Sequence, residues 1–342
     1  MRVKRMPTDP IDPDIAQLID RRLVFVMGKG GTGKTTLAAA LAFAAEAAGK
    51  RVLLVETEES EAIGRLFGKT GINETPLRVS RRIFLAKVIP KAEMTAYAQY
   101  HIRPAFVAKR VTNSRLFDYL ATAAPGLKEV MTLGRLWRWE GARDKNSRPV
   151  FDIVIVDSPA TGHVLSLLRL PQTLIRMIRV GPIVSQVQRL DMLLKDENRT
   201  ALALVSLPEE IPVKESVELM TTARDEIGMP VRTFFLNGVY PDIFQPRTSE
   251  ALYDLLFSNR ADKLYAATGN PAALDAVLVA ARHQLVRRQI HEKYIATVNK
   301  AAECPVVEIP FFFTNDLGLD DIRQIAGKLS VPEKETGGMA DA

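Results

Sequence analysis

Residues 23–36 read LVFVMGKGGTGKTT, an apolar run followed by a glycine-rich loop and the start of an alanine-rich segment. An apolar strand before such a loop and a helix after it are the context that a phosphate-binding P-loop requires. Glycines let the backbone turn so that successive N–H groups point at phosphate oxygens, and the N-terminus of the following helix adds a positive dipole end. The stretch therefore predicts a nucleotide site on an α/β sheet.

Individual tasks within the loop follow from its spacing. We expect the Lys34 ammonium to reach the β- and γ-phosphates and the Thr35 hydroxyl to bind Mg²⁺. Lys29 occupies a position that ordinary P-loops leave open, and it gives the KGGxGK[ST] variant, in which the early lysine contacts phosphate across a dimer interface. A solvated charge is the alternative for Lys29. The predicted nucleotide ligands here are Gly28, Lys29, Gly30, Gly31, Thr32, Gly33, Lys34, Thr35 and Thr36.

Further short apolar runs recur on both sides of this loop, with helix-length segments between several of them. Continuous apolar strands that alternate with helices are typical of a parallel sheet covered on both faces. The predicted fold is an α/β P-loop NTPase with a mostly parallel sheet flanked by helices. The predicted strands are Arg22–Met27, Arg51–Glu56, Ile83–Val88, Phe151–Asp157, Ala201–Leu207, Thr233–Asn237 and Pro305–Pro310.

Two segments, 90–146 and 172–197, carry apolar residues at helical spacing with no strand between them. They predict an α-helical subdomain inserted into the ATPase domain. Its apolar face either packs against itself or forms a groove for a partner's apolar helix. The predicted division is an N-terminal arm at 1–20, the P-loop domain at 21–330 and a C-terminal tail at 331–342.

Composition limits the alternatives. The 342 residues are 47% apolar and 25% charged, which is typical of a globular chain and excludes a disordered or fibrous one. A single cysteine, Cys304, excludes a disulfide framework and a zinc site built from cysteines. No run reaches the roughly 18 apolar residues that cross a membrane, and the N-terminus lacks a signal-peptide core, so we expect a cytoplasmic protein.

The net charge of +6 resides in one window, residues 86–145, whereas the rest of the chain is balanced. A localised basic segment can face phosphate or acidic lipid headgroups. A solvated helical face is the equally open alternative.

A second acidic element follows the strand 151–157, which ends in Asp157. A carboxylate at a strand end beside a P-loop can hold Mg²⁺ through water. The next residues, 158–171, read SPATGHVLSLLRLP and resemble the D-[ST]-x-P-T-G-H-x-L-R-x-L-x-x-P element of the arsenite-pump and tail-anchored-protein-targeting ATPases. In that family the element is a switch that senses the γ-phosphate, so the resemblance places His163 in the switch.

Other residues are similar to the same family over about residues 22–325, most closely to a bacterial branch with paired paralogues. The resemblance implies that Asn237 binds the adenine of ATP and that Pro310 lies in a turn beside it. Glu209 and Glu215 match a P-E-x-x-x-x-x-E segment of the family. ATP and Mg²⁺ are therefore the expected cofactors.

Two departures from the family's pattern affect the expected chemistry. The first switch carries Glu58 where the family has an aspartate that orients the attacking water, so slow or partner-dependent hydrolysis is expected. The cysteines that bridge targeting-type dimers through zinc, or bind arsenite in the pumps, are absent, and Cys304 alone cannot supply a soft thiolate site.

Several functions remain open at this point. The first is an ATP-switched dimer, with an identical chain or a paralogous ATPase, that handles apolar helices of membrane proteins or an integral membrane partner. The second is the soluble ATPase subunit of an anion or metalloid transporter, and the third a hydrolysis-poor partner in a heterodimer. A partitioning or positioning ATPase that binds DNA or membrane non-specifically is disfavoured, because the switch sequence fits the first family better, so no nucleic-acid partner is expected.

Overall fold

The computed structural model describes residues 12–57, 60–102, 104–115, 117, 126–159, 161–177, 182–242, 271–314 and 317–329. Within these ranges one sheet of eight strands crosses the molecule in the order β3-β4-β2-β5-β1-β6-β7-β8, and only β3 runs antiparallel to its neighbour. The strands are β1 (Leu23–Met27), β2 (Val52–Glu56), β3 (Leu77–Arg78), β4 (Ile83–Lys87), β5 (Ile153–Asp157), β6 (Thr200–Ser206), β7 (Val231–Val239) and β8 (Val306–Pro310).

Every residue of β1, β2, β5 and β6 is buried, because these central strands are covered by helices on both faces. The predicted mostly parallel α/β sheet is confirmed, and each predicted run contains an observed strand or overlaps most of one. The two-residue edge strand β3 was not predicted, because it is too short to carry an alternating pattern.

The described helices occupy both faces of this sheet. They are α1 (Pro13–Ile19), α2 (Lys34–Ala47), α3 (Ala62–Leu66), α4 (Pro90–His101), α5 (Ala105–Thr112), α6 (Leu127–Gly141), α7 (Thr161–Met177), α8 (Pro182–Lys195), α9 (Glu210–Thr221), α10 (Pro271–Ala301) and α11 (Leu319–Lys328). A π-helical turn, Thr222–Ile227, continues α9. One core packs α1, α2, α3 and α11 against the sheet, and the other packs α6 to α10 against the opposite face.

The segments predicted as a helical insert do contain helices, and the helices do not all pack alike. Leu133 and Leu136 of α6 join the core of the sheet, as do leucines of α7 and α8. Met94 of α4 instead forms a small separate cluster with Phe117, against which residues of α4 and α6 pack. Phe106, one of the helically spaced apolar residues of the segment 90–146, is 74% exposed. The boundaries of an inserted subdomain therefore stay a prediction.

The N-terminal arm needs a correction. Residues 13–19 of the segment predicted as a loose arm form α1, whose helix is capped by Asp12, and Ile15, Leu18 and Ile19 are buried in the core of the sheet. Three apolar side chains at helical spacing give this short helix a buried face, and this pattern was overlooked. Residues 1–11 and the predicted tail at 331–342 lie outside the described residues. Among the helices described, none is both long and apolar enough to span a bilayer.

Candidate nucleotide-binding site

The glycine-rich loop, residues 28–33, connects the central strand β1 to the N-terminus of α2. Gly31 and Gly33 have φ values of 84° and 90°, the left-handed region that side-chain-bearing residues rarely adopt. A Cβ on Gly28 would lie 2.1 Å from the carbonyl oxygen of Val205, and one on Gly33 would lie 2.2 Å from Nδ2 of Asn237. The loop is therefore tightly fitted between β6 and β7, and glycine is required at both of its ends.

The lysine and threonine inside the loop contact its own backbone. Lys34 Nζ donates to the carbonyl of Lys29 at 3.1 Å, and the buried Thr32 donates its hydroxyl to the same carbonyl at 2.9 Å. The Lys34 side chain therefore reaches back across the loop to the backbone of Lys29. Thr36 follows in the first turn of α2.

A hydroxyl and a carboxylate meet at the start of α2. Thr35 Oγ1 donates to Asp157 Oδ2 at 2.6 Å, and Asp157 ends β5, the strand next to β1. Asp157 is 8% exposed, and Thr57 donates its hydroxyl to the Asp157 carbonyl at 2.9 Å. Mg²⁺ prefers hard oxygen ligands and is usually held by one or two carboxylates besides phosphates, so this oxygen pair fits Mg²⁺.

The third group at the loop is an amide. Asn237 lies in β7 and donates from Nδ2 to the carbonyl of Thr32 at 2.9 Å. Pro310 ends the adjacent strand β8 and is paired with Val239. The structure therefore brings Asn237 into contact with the loop and places Pro310 at the end of the neighbouring strand.

Aromatic and imidazole rings surround the end of β7. The ring of Tyr240 lies 5.0 Å from that of Phe311 and 5.3 Å from that of His291, which belongs to α10. His291 Nδ1 accepts a hydrogen bond from the Tyr240 N–H at 3.0 Å. Burial, and then the nearby Arg287 and Arg288, lower the pKa of His291 from 6.5 to about 4, so the imidazole is neutral at pH 7.

The early lysine does not point into the loop. Lys29 Nζ forms an ion pair with Glu215 Oε1 of α9 at 2.7 Å, and the two side chains are 37% and 38% exposed. Both residues were singled out in the sequence, but their contact joins positions 186 apart, and neither pattern predicted it.

One acidic residue at the site was missed altogether. Glu56 ends β2 and is only 2% exposed, and burial raises its pKa above the usual value. The signal was present in the sequence, because the run 51–56 ends in a carboxylate just as the run 151–157 does.

Two predicted switch residues have no described side-chain geometry. Glu58 lies outside the described residues. The backbone of His163 belongs to the first turn of α7, and its side chain is outside the description. Their predicted roles stay predictions.

A parallel sheet with a glycine loop after its central strand, a lysine and a threonine opening the next helix, and an acidic residue ending the adjacent strand define a P-loop NTPase. Residues 21–186 match the family model described as Anion-transporting ATPase. The chain is 30% identical to ATPase BagA of Mycobacterium tuberculosis (strain ATCC 25618 / H37Rv), over 84% of this chain and 87% of that relative. It is 22% identical to ATPase GET3 of Mycosarcoma maydis, over 95% and 96% of the two chains. The chain belongs to the anion-transporting ATPase family, and it is an ATPase.

Proposed function

We propose that this ATPase is a nucleotide-switched dimer that uses Mg²⁺ and ATP in the cytoplasm to handle apolar segments of membrane proteins or a membrane partner. The observation that carries the proposal is the loop itself. Lys34 lies across its mouth, the Thr35–Asp157 pair lies at its metal side, and Lys29 is turned outwards from it.

Four groups of the chain would hold the nucleotide and its ion. The Lys34 ammonium, which now donates to the Lys29 carbonyl, would find stronger, charged acceptors in phosphate oxygens. The Thr35 hydroxyl and the Asp157 carboxylate, which now contact each other, would supply hard oxygen atoms for Mg²⁺. Magnesium, when bound, would neutralise negative charge of the phosphates. The first-turn amides of α2 would be available as further donors to phosphate oxygens.

Closing the dimer requires Lys29 to change partner. Its ammonium is half-exposed and held by Glu215, and an exposed pair of this kind is worth about 1 kcal/mol or less. A phosphate group of the nucleotide bound to the partner subunit would compete easily with Glu215 for the Lys29 ammonium. The dimer, formed with an identical chain or a paralogue, is therefore expected to appear only with bound ATP.

Light scattering coupled to size-exclusion chromatography tests this proposal directly. Wild type is expected to shift from monomer to dimer with ATP and Mg²⁺, whereas Lys34→Ala binds no nucleotide and stays monomeric. Lys29→Ala should bind ATP and still fail to dimerise. Lys50→Ala is the matched control, because Lys50 is also paired with an acid, Asp20, but lies beyond the far end of α2. Dimerisation of Lys29→Ala to the wild-type extent would contradict the cross-interface role.

The apolar client is supported by exposed apolar side chains on helices of the predicted insert and of the segment after the second acidic element. Tyr100, Phe106, Met177 and Met192 are 62–74% exposed, on α4, α5, α7 and α8. The switch resemblance of residues 157–171 favours a targeting role for such a surface. Retention of a purified protein with a single C-terminal apolar helix, dependent on ATP and lost in Lys34→Ala, is the expected result. Equal retention by Lys34→Ala would contradict the coupling.

A soluble ATPase subunit of an anion transporter is the second candidate, favoured by the description of the matched family. Cys304 does not support arsenic as the cargo, because burial raises the pKa of its thiol to about 11. A hydrolysis-poor heterodimer partner is the third candidate, resting on Glu58. Unchanged turnover in Glu58→Asp would remove its basis.

A further inference from the structure

The carboxylate of Glu56 has no task in the function proposed above, although it lies beside the proposed metal ligands. Glu56 ends β2, and β2 pairs in parallel with β5 so that Glu56 is directly opposite Asp157. Neighbouring strands of a sheet lie about 4.8 Å apart. Two carboxylates therefore end adjacent strands at the edge of the sheet that carries the phosphate loop.

The two acidic side chains also share a face of the sheet. Alternate residues of a strand point to opposite faces. Val52 and Leu54 of β2, and Ile153 and Ile155 of β5, belong to the core that contains α2. Glu56 and Asp157 continue those two series, so both extend towards the α2 face, where Thr35 contacts Asp157.

The hydrogen bonds of Glu56 satisfy only one of its oxygens. Oε1 accepts from the Ala62 N–H at 2.7 Å, from Ser60 Oγ at 3.3 Å and from the Ile63 N–H at 3.4 Å. Oε2 is buried and has no hydrogen-bond partner in the described part of the chain. Buried carboxylate oxygens are normally satisfied, so a missing ion or water is the usual explanation for one that is not.

The charge balance around Glu56 points the same way. Burial raises the pKa of Glu56, and the amides of Ala62 and Ile63 and the charge of Lys87 offset this only in part. Lys87 lies directly opposite Glu56 on β4, and its positive charge still leaves the pKa of Glu56 raised. A cation at the loop would compensate this charge.

We propose that Glu56 is a second carboxylate of the magnesium site, acting on the ion through water from the strand next to Asp157. The inference rests on the proposed nucleotide function. Mg²⁺ releases its waters reluctantly and usually keeps several of them in protein sites. Outer groups that hold such waters or orient direct ligands typically contribute tenfold or more to metal affinity.

A purely structural task for Glu56, holding the start of α3 through Ala62 and Ile63, can be separated from this one. Glu56→Gln keeps an acceptor oxygen for the two amides and removes only the negative charge. Ser60→Ala removes one hydrogen bond and leaves the charge in place, so it serves as the matched control.

Calorimetric titration of ATP with Mg²⁺ and with EDTA tests the inference without measuring activity. Wild type should bind ATP more tightly with Mg²⁺, and Glu56→Gln should lose about tenfold of that gain while its metal-free affinity stays within about twofold. Ser60→Ala should behave as wild type. Glu56→Asp, which keeps the charge but withdraws it by one methylene, should lose about threefold of the gain, so the test survives if Glu56→Gln does not fold.

Each result has a distinct meaning. A wild-type gain that is unchanged in Glu56→Gln or in Glu56→Asp overturns the inference alone. A wild-type protein whose ATP affinity is the same with and without Mg²⁺ contradicts both the inference and the proposed function. A loss in Glu56→Gln confined to the Mg²⁺ titration supports both.

Discussion

The two sides of the phosphate loop are built on different chemistry. On the metal side, defined as the proposed metal-binding ends of β2 and β5, Glu56 and Asp157 place two acidic groups on almost fully buried strands. On the base side, defined as the proposed base-binding ends of β7 and β8, the contacts are made by the Asn237 amide and by a neutral His291. One side carries two buried acids, and the other carries an amide and a neutral imidazole beside the Arg288–Glu308 ion pair. The proposed function assigns the first side to the metal and the second to the base of one nucleotide.

The largest expected effect comes from removing charge on the metal side. Asp157→Asn keeps the shape of the side chain and loses the anion, so turnover should fall about 100-fold while ATP still binds. Asp152→Asn is the matched control, because Asp152 lies just before the other end of β5 and its carboxylate accepts from the Arg51 N–H. Phosphate release and equilibrium ATP binding check the two variants. Turnover of Asp157→Asn within a few-fold of wild type would remove Asp157 from the metal site.

A substitution on the base side should lower the affinity for ATP and leave turnover at saturating ATP almost unchanged. Asn237→Ala removes one neutral hydrogen-bonding group, so ATP affinity should fall by up to about tenfold, with saturated turnover within about twofold. Preference for ATP over GTP should shrink in parallel if the amide reads the adenine. Calorimetry with both nucleotides measures this. An unchanged ratio of the two affinities would exclude Asn237 from base recognition.

The neutral imidazole on the base side makes stability depend on pH. The pKa of His291 is about 4 in the folded chain and about 6.5 when unfolded, so between these values the unfolded chain binds more protons. The contribution of His291 to stability is fully present above pH 6.5 and is lost as the pH falls to about 4, by roughly 3 kcal/mol.

Urea unfolding of His291→Gln checks that dependence. Glutamine can accept from the Tyr240 N–H without titrating, so the variant should lose less stability than wild type between pH 6.5 and pH 4. The free energies of unfolding at the two pH values give the comparison. Equal losses in the two proteins would contradict the assigned pKa shift.

The smallest effect is expected at the outer end of the loop. Glu215→Gln releases Lys29 from a half-exposed ion pair, so the ATP concentration that half-saturates dimerisation should fall by at most about fivefold. Glu218→Gln is the control, because Glu218 is an exposed acid of the same helix. A higher ATP requirement in Glu215→Gln than in Glu218→Gln would mean that Glu215 helps Lys29 reach its target.

The sequence predicted the core strands and the loop because each has a local pattern. Continuous apolar runs indicate the strands, and the spacing of glycines and lysine indicates the loop. The sequence did not predict which strands are neighbours. That order places Glu56 opposite Asp157, positions 101 residues apart, and this pairing is the basis for proposing Glu56 as part of the site. The sequence did not predict the Lys29–Glu215 and Tyr240–His291 contacts for the same reason, since each joins residues that only the folded sheet brings together.

The helix α10 is attached to the chain just beyond β7 at one part of its length only, among the contacts described. Gln284, Arg288 and His291, over two of its turns, hold the backbone of Tyr240 and Pro241 just beyond the strand that carries Asn237. From His291 to Pro271 the helix extends about 30 Å. A tilt of about 5° at this clamp would move the Pro271 end by roughly 3 Å, and the exposed Val277 and Val279, about 20 Å away, by roughly 2 Å. A small tilt at the end of β7 would therefore give a larger displacement along α10 than at the strand itself.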